Sequence, residues 1–114
     1  MNTNWNENEI TRTMMNQLGG AHRVFPMIGA RGVCASLRND GATQLRMMWA
    51  AKARKMVNYV AITLEGDDTY TVEFERRGVN GVVRAAKPVA KFEGVYAEDL
   101  IRLFESTTGL YLHL

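Results

Sequence analysis

The sequence has 114 residues and a mass of 12.8 kDa, the size of one domain with one modest core. Its 46% apolar and 23% charged content excludes a disordered chain, and two Pro and one Cys exclude a proline-rich linker and a disulfide framework. A net charge of +2 excludes a chain that wraps nucleic acid by total charge alone, and no apolar run reaches the roughly 20 residues of a membrane-spanning helix.

Residues 5–18 read as a helix, with Asn4 or Asn6 as N-cap, Ile10, Met14 and Leu18 along one stripe, and Gly19-Gly20 as the stop. Short strand-like runs follow at Arg23 to Ile28 and Val33 to Leu37, separated by a bend at Gly29-Ala-Arg-Gly32. Asn39-Asp40-Gly41 is a turn. Gln44 to Trp49 alternates, with Leu45, Met47 and Trp49 on one side and Gln44, Arg46 and Met48 on the other. Ala50 to Lys55 is a basic connector, and Met56 to Leu64 is a β-branched strand.

Residues 65–69 form a hairpin loop leading into Tyr70, Val72 and Phe74, which alternate with Thr71, Glu73 and Glu75 on an acidic outer face. Asn80-Gly81 signals a second hairpin, and the strand from Val82 to about Lys87 becomes an edge at Pro88. Tyr96 to Ser106 is a helix with Tyr96, Leu100, Leu103 and Phe104 on its apolar face and a left-handed stop at Gly109. The tail, Leu110 to Leu114, alternates as a short strand or an apolar plug. The expected fold is a single α+β domain over 1–114: an N-terminal helix, an antiparallel sheet of four to six short strands, and a C-terminal helix packed on one face.

Charge is uneven along the chain. Residues 23–55 carry Arg23, Arg31, Arg38, Arg46, Lys52, Arg54 and Lys55 against Asp40, a net +6, whereas residues 65–77 are net −3. If the basic segment forms one face, the surface is bipolar. The polar N-terminus lacks the basic and apolar regions of a secretory signal, and the lone Cys34 suits a reducing cytoplasm.

Several stretches resemble a family of small proteins encoded by tailed bacteriophages. They are Val60 to Phe74, Gly94-Val-Tyr-Ala-Glu-Asp-Leu100, Phe104-Glu105, Thr108-Gly-Leu-Tyr111, Gln17 to Gly20 and Ile28 to Arg31. The resemblance implies a phage gene product acting in the host cytoplasm, and it supplies neither an activity nor site residues.

Candidate chemistry is sparse. Cys34 with His22 or His113 is the one Cys/His combination for nucleophilic catalysis, but Cys34 lies in an apolar run and reads as structural. The same residues make a poor zinc set, and Glu65, Asp67 and Asp68 read as a solvated loop rather than a cation site. Glu73 and Glu75 share a strand face and read as solvated or paired across the sheet. Gly29 to Gly32 and Gly78 to Gly81 have the GxxG spacing of KH backbone clamps, but sit where turns between strands are expected.

No catalytic residue, metal or cofactor is therefore assigned. The expected function is that of a non-enzymatic accessory protein that binds a host or phage protein, with a homodimer as one form. Seven Met, paired at Met14-Met15 and Met47-Met48, suit such an adaptable surface or fill an irregular core. The alternative is single-stranded nucleic acid bound by Arg38, Arg46, Trp49, Lys52, Arg54, Lys55 and Tyr59, with cations tracking phosphates and rings stacking on bases.

Overall fold

The computed structural model describes residues 3–78 and 87–112. Thr3–Asn4 (β1) runs into a single 3-10 turn, and Asn8 then caps helix α1, Glu9–Gln17, its Oδ1 accepting from the N–H groups of Ile10 and Thr11 at 2.9 and 3.1 Å. The cap is thus later than either expected asparagine, and Asn4 caps the 3-10 turn instead. The apolar stripe rotates with it: Thr11, Met14, Met15 and Leu18 are buried, while Ile10 lies at the exposed flank.

The expected strand from Arg23 to Ile28 is helix α2, Ala21–Ile28. Val24 and Ile28 are four residues apart and both fully buried, a helical rather than an alternating spacing. Pro26 sits on the outward side, and Gly29 ends the helix in the left-handed region with its N–H on the Phe25 carbonyl at 2.9 Å. The bend expected at 29–32 is therefore a helix stop followed by a strand, β2 (Ala30–Leu37), whose register shifts between Arg31 and Cys34.

Strands β3 (Thr43–Trp49), β4 (Tyr59–Leu64), β5 (Tyr70–Arg76) and β6 (Lys87–Val95) complete an antiparallel sheet in which every strand pairs with its neighbour in number, β1 to β6. The fourth strand starts later than expected because residues 54–56 form a 3-10 turn. The Asn80-Gly81 hairpin and the strand start at Val82 lie outside the described residues. The last strand continues past Pro88 to Val95 as the free edge, with a register shift around Gly94, whose φ of +65° suits glycine.

A 3-10 turn, Ala97–Asp99, leads into helix α3, Leu100–Thr108. Tyr96 precedes that turn and is exposed, so the apolar face is carried by Leu100 and Phe104. Gly109 is the left-handed stop expected, and of the described tail residues Leu112 is buried in the core.

All three helices cover one face of the sheet. Leu45, Met47, Trp49, Val60, Ile62, Val72 and Phe74 share a core with Met14, Met15, Leu18, Val24, Ile28, Leu100 and Phe104. At its centre Trp49 packs edge-on against Phe104 (5.2 Å), and Phe104 meets Phe74 (6.0 Å). Tyr70 donates to Gln17 Oε1 at 2.7 Å, fastening the sheet to α1. No helix is long and apolar enough to cross a membrane among the described residues.

Candidate nucleic-acid interface

Alternation sends Cys34, Ser36, Gln44, Arg46, Met48, Tyr59, Ala61, Thr63, Thr71, Glu73, Glu75 and Lys91 to the face without helices. The acidic outer face expected at Glu73 and Glu75 is there, with Glu73 opposite Lys91 and Glu75 bridged to Arg77 at 3.0 Å. Cations and acids alternate across this surface, so it is not a basic plate.

The strand ends differ more than the face. In an antiparallel meander alternate loops return to the same end. One end carries Asp40, Glu65, Asp67 and Asp68 in the β2–β3 and β4–β5 turns. The opposite end gathers Arg31 at the start of β2, Lys52, Arg54 and Lys55 between β3 and β4, Arg76 and Arg77 at the end of β5, and Lys87 at the start of β6. The register aligns Arg31 with Met48, Met48 with Tyr59, Tyr59 with Glu75, and Arg76 with Lys87, so these cations span the width of the sheet.

The seven residues expected to bind nucleic acid are divided by this geometry. Lys52, Arg54 and Lys55 lie at the basic end, where Arg54 donates to the Ser106 carbonyl at 3.1 Å, against the C-terminal turn of α3. Trp49 does not join them. It is 2% exposed on the helix-covered face and donates from its indole N–H to the Val57 carbonyl at 3.0 Å, so it is a core residue. Arg38 is at the acidic end, bonded twice to Glu65 at 2.7 Å and to Asp40 at 3.0 and 2.7 Å. Those bonds hold the Glu65 and Asp40 carboxyls down to about 2 and raise the guanidinium further. An arginine forked between two carboxylates is a poor phosphate ligand.

Arg46 and Tyr59 are neighbours on the open face, but Tyr59 is not a free stacking platform. The residue is 4% exposed, with the Arg77 guanidinium carbon 3.6 Å from the ring centre and that of Arg46 at 5.4 Å. Arg46 Nε also donates to the Tyr59 hydroxyl. Burial pushes that hydroxyl's pKa up, with the Arg46 hydrogen bond opposing. Tyr59 therefore carries guanidinium groups, and those groups form the surface.

Arg77 is held from three sides. Glu75 accepts from its Nε at 3.0 Å, its backbone N–H donates to Asn58 Oδ1 at 2.8 Å, and its carbonyl accepts from Asn58 Nδ2 at 2.9 Å. Arg31, Arg76, Arg77 and Lys87 are not among the seven residues expected from the sequence, although Arg31 belongs to the basic segment. The pair Arg76-Arg77 falls in a net acidic window, and only the strand order shows that it meets the Lys52–Lys55 loop.

The remaining candidates fall apart. Cys34 is half-buried on the open face, whereas His22 starts a helix on the other side of the sheet, and His113 lies outside the described residues. Asp67 accepts from Thr69 N and Oγ1 at 3.1 and 2.6 Å, as a loop residue does. No group of three His, Cys, Asp or Glu side chains placed to hold a metal ion exists among the described residues. Of the GxxG strings, the first joins a helix to a strand rather than two helices, and the second lies partly outside the described residues. The chain matches no protein-family model, no curated protein and no solved structure.

Proposed function

We propose that this protein acts by binding, and that its binding surface is the basic end of the sheet, engaging single-stranded nucleic acid. One observation carries the reading: Arg31, Lys52, Lys55, Arg76, Arg77 and Lys87, distant in sequence, lie at one end of the sheet, while Asp40, Glu65, Asp67 and Asp68 lie in the turns of the opposite end. Such a separation orients the chain toward a polyanion and supplies several cations rather than a single ion pair. The setting is the cytoplasm of an infected bacterium, on the strength of the resemblance to tailed-phage proteins.

The test is anisotropy of a labelled oligothymidylate titrated at several salt concentrations. Joint replacement of Lys52 and Lys55 by Ala should weaken binding and lower the log–log salt slope by about 1.4, two phosphate contacts on a single strand. An unchanged slope with unchanged affinity would remove this surface from the reading.

A second reading, docking of a host or phage protein, is favoured by Tyr96 and Tyr111, 58% and 66% exposed at the two ends of α3. A groove of about 510 Å³ beside α3 is lined in part by Ile101, Arg102 and Tyr111. A homodimer would use that side rather than the β6 edge, where Pro88, Lys91 and the irregularity at Gly94 oppose strand-to-strand pairing.

A further inference from the structure

The loop between β3 and β4 holds a second anomaly beside its charge. Lys55 and Met56 are consecutive non-glycine residues in the left-handed region, with φ of 54° and 59°. Neither residue favours that conformation, and two in succession persist only where the surroundings dictate them. They do so here. Met56 N–H bonds the Ala53 carbonyl at 3.2 Å and Val57 N–H bonds the Arg54 carbonyl at 3.1 Å. Val57 is buried with its carbonyl taken by the Trp49 indole, and Arg54 is clamped to the end of α3.

The result of this strain is the placement of one side chain. Met56 is 69% exposed, directly after Lys55 in the chain and against Arg76, whose Nη1 lies 4.0 Å from its sulfur. An apolar, polarisable group is held out of the core beside Arg76 and next to Lys55. A solvated loop would have no need of it.

We propose that Met56 is a base-contacting residue: its thioether packs on the face of an unpaired base while Lys52, Lys55 and Arg76 take the flanking phosphates. Cations alone cannot distinguish a nucleotide from any other phosphate chain. A thioether seated among them adds contact with the π-face that every base presents, without sequence preference. This inference rests on the nucleic-acid reading above and adds the part of the ligand that the loop contacts.

The experiment compares an oligothymidylate with an abasic strand of equal length, for the full chain and for Met56→Ala and Met56→Leu. The full chain should bind the abasic strand about fivefold more weakly, the size of one sulfur–aromatic contact. Met56→Ala should lose about fivefold on oligothymidylate at an unchanged salt slope, and should no longer distinguish the two strands. Met56→Leu should retain most of the preference, and melting of each variant should match the parent because the side chain is exposed. If Met56→Ala keeps the parent's affinity and preference, the assignment of Met56 fails while the basic end stands. If the full chain binds neither strand, the nucleic-acid reading fails and this inference with it.

Discussion

Replacing Asn58 with alanine tests whether the basic end is a built surface. The amide spans the sheet as one more rung of the β4–β5 ladder, giving Nδ2 to the Arg77 carbonyl at 2.9 Å and taking the Arg77 N–H at 2.8 Å. Both bonds are half-buried, and each contributes about 1 kcal/mol net, so Asn58→Ala should cost about 2 kcal/mol. That is a large share of the roughly 5–15 kcal/mol expected for a domain. Urea denaturation should show the midpoint falling by about 1 M at constant slope, given a slope of about 2 kcal/mol/M. Asn58→Asp keeps the acceptor, loses the donor and sets a carboxylate against the Arg77 carbonyl, so it should cost at least half as much. With Arg77 unpinned from Tyr59, Asn58→Ala should also weaken oligothymidylate binding. A stability loss below about 0.5 kcal/mol for Asn58→Ala would refute the rung argument.

Phe104→Ala removes the ring shared by Trp49 and Phe74 and should cost about 4 kcal/mol, with loss of the near-ultraviolet dichroism of Trp49; a cost under about 1 kcal/mol would mean that the core does not close around Phe104. The Glu65 and Asp40 carboxyls are held at about 2 by Arg38, below their unfolded values, so the unfolded chain takes up protons first as the medium is acidified. Their contribution is complete above the ordinary carboxylate range and lost as pH falls from there toward about 2. Arg38→Ala should flatten that stretch of the stability–pH curve, read from urea midpoints, and an unaltered curve would show the pair to be inert.

Elements whose pattern is local were legible in the sequence. The alternation of Gln44 to Trp49 and of Tyr70 to Glu75, the turn at Asn39-Asp40-Gly41 and the stop at Gly109 each depend on residues a few positions apart, and each is in place. Arg23 to Ile28 misled because Pro26 and two β-branched residues suggest an extended run, whereas Val24 and Ile28 are set by burial against the sheet. Trp49 was placed on the correct side of its strand, but which side meets the helices is a tertiary property that alternation does not reveal. The same holds for the basic end. Arg31, Arg77 and Lys87 are far apart along the chain, and only the order of strands brings them together.

That order also bears on how the molecule forms. Each of the strands β3 to β6 pairs with the one immediately before it, so these four ladders are hairpins, whereas β1 reaches β2 only across α1 and α2. Loop-closure entropy rises with the length closed, and β-rich folds are slow chiefly because their pairings are distant. Here the hairpins can zip in succession, with Phe104 arriving last to seal Trp49 and Phe74 from the far end of the sequence. A chain emerging from the ribosome can thus pair β2 to β6 strand by strand before α3 is made.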